Sequence, residues 1–146
     1  MIETDVVIIG AGPAGLFQVF ELGLLGLRAH VVETLPQAGG QCSELYPDKP
    51  IYDIPACPAI SAQELTDRLL EQIAPFEPVF HFEQQVIRLL RETDGRFLLE
   101  TQTGTRFLAQ SVVIAAGMGA FAPVRLRVPG IEQFEGSQLY YQVKDT

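Results

Sequence analysis

The 146-residue chain is 47% apolar, which excludes a disordered or low-complexity polymer and leaves a globular one with a formal net charge of −8. Its length carries one domain with a core of its own. The acidic balance argues against nucleic acid or an anionic membrane as a general partner, and no apolar stretch is long enough to span a bilayer.

The first charged residues are Glu3 and Asp5, not the basic n-region of an export signal, so cytoplasm is the expected location. Asp5–Ile9 is a short, β-branched apolar run and predicts a buried parallel strand. Gly10-Ala11-Gly12-Pro13-Ala14-Gly15 follows as a Gly-x-Gly-x-x-Gly turn. A helix comes next, with Leu16, Phe17, Val19, Phe20, Leu22 and Leu24 available for packing. A second strand, Ala29–Val32, ends in Glu33.

Each residue of this unit has a mechanical role. Gly10 lets the backbone turn out of the strand, Gly12 lets a pyrophosphate approach the main chain, and Gly15 lets the helix lie close on the sheet. Pro13 sits where its missing N–H costs nothing, and the helix start offers free amides, that of Ala14 among them, to phosphate. Glu33 lies about 20 residues beyond the glycines, where a carboxylate accepts ribose hydroxyls and repels a 2′-phosphate. Strand before, helix after and acid at that distance make the motif specific for a dinucleotide.

Gly39-Gly40-Gln41 then forms a second glycine-rich loop. Its doublet permits close approach over the nucleotide, and Gln41 offers both a donor and an acceptor, as the polar edge of a flavin requires. Residues 44–58 contain four prolines and predict an extended, shaped loop. Two roles stay open for Tyr46 and Tyr52 there, stacking on an aromatic cofactor or plugging the loop onto the core. Cys42 and Cys57 match neither a Cys-x-x-Cys nor a zinc knuckle, which leaves two reduced thiols or, if adjacent in space, a redox pair.

Ser61-Ala62-Gln63-Glu64 is a capping box and starts a helix running to about Ile73 or Ala74, with Leu65, Leu69, Leu70 and Ile73 on one face. Val79–Phe82 predicts a third parallel strand. His30 and His81 each read as solitary packed or surface residues rather than ligands. Gln84–Arg91, Arg96–Thr101 and Thr105–Ala109 predict an antiparallel three-stranded meander, and Ser111–Ala115 a fourth parallel strand ending at Ala116-Gly117.

The order of these pieces resembles the FAD-binding half of two-dinucleotide-domain flavoprotein reductases. Gly39-Gly40-Gln41, Leu45-Tyr46-Pro47, Ile51-Tyr52-Asp53-Ile54 and Gly119-Ala120-Phe121-Ala122-Pro123 narrow it to the thioredoxin-reductase-like ferredoxin–NADP reductases. The resemblance implies an α/β, Rossmann-like fold with a parallel sheet, helices on one face and the three-stranded meander. It implies FAD on Gly10, Gly12, Ala14, Gly15 and Glu33, with Gln41 and Tyr46 beside the flavin portion. The Val86 backbone would lie near adenine, and Gly40, Gly117 and Phe121 would complete the site. It further implies NADPH as hydride donor and ferredoxin or flavodoxin as electron partner, in a homodimeric parent.

Two positions depart from the family pattern. Ala116 stands at the central threonine of an Ala-Thr-Gly motif, and Ala56-Cys57-Pro58 stands where Gly-Phe-Pro is usual. Residues 1–120 are expected to form the FAD-binding part, and 121–146 a crossover toward an NADPH-binding domain that these residues do not contain. With one dinucleotide turn, this chain by itself is expected not to turn over NADPH. The rival functions are a thioredoxin-reductase-like disulfide reductase, a flavin monooxygenase and a non-catalytic FAD-binding module. No catalytic acid, base, nucleophile or metal is assigned, because a flavin carries the chemistry.

Overall fold

The computed structural model describes residues 1–120 and 124–141. Phe121 and residues 142–146 of the expected crossover lie outside the described residues. In chain order the regular elements are β1 (Ile2–Ile9), α1 (Pro13–Leu24), β2 (Ala29–Val32), α2 (Gln41–Glu44), β3 (Pro50–Ile51), β4 (Ile60–Ser61), α3 (Ala62–Ile73), β5 (Val79–His81), β6 (Val86–Arg91), β7 (Phe97–Thr101) and β8 (Arg106–Ile114). Single 3-10 turns follow α3 at Ala74–Phe76 and occur again at Ile131–Phe134. Among the described residues no helix is long and apolar enough to cross a membrane.

One six-stranded sheet runs in the order β5-β2-β1-β8-β7-β6. The first four strands are parallel and the last two antiparallel, as a βαβ unit joined to a meander should be. The central strand β1 alternates between two cores. Val6 and Ile8 pack with Leu16, Val19 and Leu22 of α1 and with Leu69 and Ile73 of α3. Val7 packs on the other side with Val32, Leu99, Phe107 and Ala109. The helices therefore share one face, and the meander curls over the other, as the handed coil of a twisted sheet allows.

Two expectations are corrected. Thr105–Ala109 and Ser111–Ala115 are not separate strands: β8 is continuous, pairing antiparallel with β7 over its first half and parallel with β1 along nearly its whole length. No glycine or proline lies between Ala109 and Ser111, so nothing terminates the strand there. On α1, Phe17 and Leu24 do not join the core and are 46% and 63% exposed. The buried face is set by Leu16, Val19 and Leu22, and Phe17 instead stacks on Phe20 with ring centroids 5.7 Å apart.

The Ser61 half of the capping box forms, while the Glu64 carboxylate turns to Arg68 instead. The Ser61 hydroxyl accepts the Glu64 amide at 3.1 Å, and α3 runs to Ile73. The proline-rich segment is closed by a two-stranded ribbon in which Pro50 pairs with Ser61 and Ile51 with Ile60.

The histidines are not solitary. Neighbouring strands β2 and β5 bring His30 Nδ1 within 2.8 Å of His81 Nε2, and Phe107 packs edge-on against both rings. Two imidazoles share one hydrogen bond only if one donates and the other accepts, which suits the neutral pair. Burial lowers both pKa values, and at His30 the neighbouring His81 and Arg28 lower it further. Among the described residues no third side chain joins them to make a metal site.

Two tests follow from this packing. Ser61→Ala should lower unfolding free energy by about 1 kcal/mol in urea titrations, with Ser61→Asp retaining most of it. For the histidines, the folded pKa values lie below the unfolded value, so the unfolded chain binds more protons once pH falls below about 6.5. The urea midpoint should be flat above neutrality and fall as pH drops toward 5.5. His81→Leu should reduce that slope without abolishing it, since His30 stays desolvated.

Candidate nucleotide-binding site

A cavity of about 460 Å³ opens at the carboxyl ends of β1, β2 and β8. This is where open parallel sheets place ligands. Gly10, Gly12 and Ala14 line it from the first turn, and Glu33 and Thr34 from the end of β2. Gly40, Gln41 and Tyr46 contribute from the second glycine loop, Val86 from β6, and Gly117 from the end of β8. Nine of the predicted site residues thus meet in one cavity.

Gly15 is set behind the wall. A Cβ there would collide with the Gly10 carbonyl, so this glycine seats α1 on the turn. Gly10 itself has φ of 103°, and a side chain on it would strike the Ala115 carbonyl at the end of β8. The two glycine loops touch directly: a Cβ on Gly40 would stand 3.1 Å from Gly12 Cα. Above Gly12 the nearest heavy atom to such a Cβ is 4.0 Å away, so space over that peptide is open to a ligand.

Helix α1 begins at Gly12 with no side-chain cap and with Pro13 in its first turn. Its first backbone bond runs from the Leu16 amide to the Gly12 carbonyl at 2.9 Å. The Ala14 and Gly15 amides have no partner among the described residues. Orphan donors at the positive end of a helix dipole are an anion site, and of these two residues Ala14 lines the cavity.

Glu33 is only 5% exposed, and both oxygens of its carboxylate take part in holding the site together. Oε2 accepts the Ala11 amide at 2.8 Å, and Oε1 accepts the Leu35 amide and the Thr34 hydroxyl, each at 3.0 Å. The Ala11 carbonyl in turn accepts the Gly39 amide at 2.8 Å. Glu33 therefore pins the first turn, and the first turn pins the second loop. A carboxylate has about four acceptor positions. Three are taken, Oε2 keeps one, and the Thr34 hydroxyl can rotate away to free a second.

At the far end of the cavity the Tyr46 hydroxyl donates to Gln41 Oε1 at 3.3 Å, and the Gln41 amide nitrogen lies beside Gly117. Tyr46 thus takes a place in the cavity wall, with Lys49 Nζ 5.1 Å from its ring centroid on another side. Tyr52 is 69% exposed and lines a separate recess with Lys49 and Asp53. Cys42 and Cys57 are free thiols, and burial pushes the Cys42 thiol up, away from the thiolate that redox chemistry needs.

The glycine-rich strand–turn–helix, its acid and its orphan amides fit an adenine dinucleotide such as FAD. Residues 4–145 match the Pyridine nucleotide-disulphide oxidoreductase family, and the chain belongs to it. Within that family the chain is 61% identical to "Ferredoxin--NADP reductase 2" of Cupriavidus necator, over 98% of its own length and 39% of the relative's. It is also 61% identical to "Ferredoxin--NADP reductase" of Albidiferax ferrireducens, over 99% of its length and 41% of the relative's. The chain therefore spans about two fifths of these curated relatives. Among solved structures, thioredoxin reductase of Lactococcus lactis shares the fold with a TM-score of 0.69 at 24% identity, covering 90% of this chain and 40% of that one.

Removing the Glu33 carboxylate should damage the protein before any ligand is added. Glu33→Ala leaves the buried Ala11 amide without its acceptor and should cost about 1.5–3 kcal/mol of unfolding free energy in the ligand-free chain. Glu33→Gln should not restore it, because one amide oxygen cannot serve donors on both sides. Calorimetry or urea unfolding of the three proteins checks this.

Proposed function

We propose that this chain is the FAD-binding part of a ferredoxin–NADP reductase. The observation that carries the reading is the cavity itself, with Glu33 at one end, the orphan amides of α1 in the middle and Gln41 with Tyr46 at the other. Relatives at 61% identity named as such reductases support it.

In this reading the Ala14 amide binds the pyrophosphate, the Gly15 amide behind it adds to the positive end of α1, and Gly12 and Gly40 let the group lie against the backbone. Glu33 accepts from the adenosine ribose through the open position on Oε2, with a second position available when the Thr34 hydroxyl turns away, and its charge disfavours a 2′-phosphate. The Val86 backbone lies along the adenine. Gln41 orients the polar edge of the isoalloxazine, with Tyr46 holding the Gln41 amide in place and Gly117 giving the ring room. Phe121 joins that end by resemblance.

When bound, FAD supplies a two-electron acceptor that can release electrons singly. NADPH is the donor and ferredoxin, or flavodoxin, the acceptor of the whole reductase. The NADPH site belongs to the portion of the longer relatives that residues 1–146 do not span, with 121–146 leading toward it. A cytoplasmic homodimer is the proposed form of the whole protein.

The test is a titration of the purified chain with FAD and with NAD, followed by flavin absorbance and fluorescence. FAD should bind and NAD should compete poorly. Tighter binding of NAD than of FAD would falsify the reading. In a protein carrying the remaining three fifths, NADPH oxidation should depend on added ferredoxin.

A further inference from the structure

The cavity wall near Glu33 contains a polar side chain that is held from behind and left with donors to spare. Gln84 follows β5, and its amide donates to the Glu33 carbonyl at 2.9 Å, while the preceding Glu83 amide donates to the Leu35 carbonyl at 3.1 Å. Gln84 lines the cavity together with Glu33, Thr34 and Val86. Its Oε1 accepts two hydroxyls, from Thr101 at 3.0 Å and from Thr103 at 3.1 Å.

Those hydroxyls are themselves constrained. Thr101 is 1% exposed, and its Oγ1 accepts the Thr105 amide at 3.1 Å, which leaves its proton to be donated to Gln84 or to Thr103. Thr101 also contacts the Thr103 hydroxyl at 2.9 Å. With both hydroxyls on the oxygen, the amide orientation is set: Nε2 points away from them and carries two N–H donors. Nε2 has no partner among the described residues. A half-buried primary amide, locked through its oxygen and lining a ligand cavity, is arranged to donate to that ligand.

We propose that Gln84 is a nucleotide-recognising donor at the adenosine end of this cavity, aimed by Thr101 and Thr103; this rests on the proposal that the cavity takes FAD. Adenosine offers acceptors there in its ring nitrogens and ribose oxygens. Thr101 acts through Gln84 and touches no ligand, so it is a positioning residue. Together they make the meander strand β7 part of the nucleotide site, although no residue of β7 lines the cavity.

The experiment measures the affinities of the chain for FAD, ADP and FMN, with the ligand-free unfolding midpoint as a check on the fold. Gln84→Glu keeps an acceptor for both hydroxyls and replaces the donor by an acceptor. Gln84→Met removes the amide at similar length. Both should weaken FAD and ADP about three- to tenfold or more and leave FMN, which has no adenosine, unchanged. Thr101→Val should weaken FAD and ADP in the same way, and Thr101→Ser, which keeps the hydroxyl, should restore them. Unchanged FAD and ADP affinity in Gln84→Glu, or a parallel loss of FMN, overturns the proposal. Wild-type chain that binds ADP but not FAD refutes the flavin reading while the ADP measurements still decide the role of Gln84. Binding of neither nucleotide refutes both.

Discussion

The bond from the Ala11 amide to the Glu33 carboxylate is the constraint on which the site depends. It closes the gap between the ends of β1 and β2, and through the Ala11 carbonyl it carries on to Gly39. The same carboxylate takes the Leu35 amide, while the Glu33 main chain meets β5 and Gln84. One buried acid thus fixes three loops that would otherwise be independent. A buried carboxylate is costly unless it is hydrogen-bonded, and here the donors come from the backbone it organises. Any ligand that reaches Glu33 therefore meets a side chain already committed to building the site.

Much of this was legible in the sequence because it is local. Gly10 through Glu33 encode turn, helix, strand and acid within one βαβ unit, and Gly10 and Gly15 each answer a contact that a Cβ would violate. Ser61 and Glu64 encode a helix start by a bond between residues three apart. Such features need no knowledge of the rest of the fold.

What the sequence hid depends on neighbours distant in the chain. His30 and His81 meet only because β2 and β5 pair, which no spacing reveals. The continuity of β8 is concealed because Gln110 interrupts the apolar run with a polar residue, although its backbone has no reason to turn. Phe17 looked like core because helical periodicity leaves two candidate faces, and the packing of α1 against α3 chose the other. Thr101 and Gln84 are ordinary polar residues on a strand and in a loop. Their meaning appears only when the meander is brought back against the dinucleotide unit.

The register of β8 on β1 has a kinetic side. Every paired position, from Ile2 with Phe107 to Ile9 with Ile114, joins residues 105 apart. Strand β1 can pair with β2 early, across a short crossover, but its other edge stays open until β8 exists. Non-local pairing is slow because the entropy of closing a long loop is lost before any contact is gained. As the chain emerges from the ribosome, the apolar strand β1 must therefore wait, half-paired, for more than a hundred residues. That interval, rather than the finished fold, is where this protein is most exposed to aggregation and to chaperones.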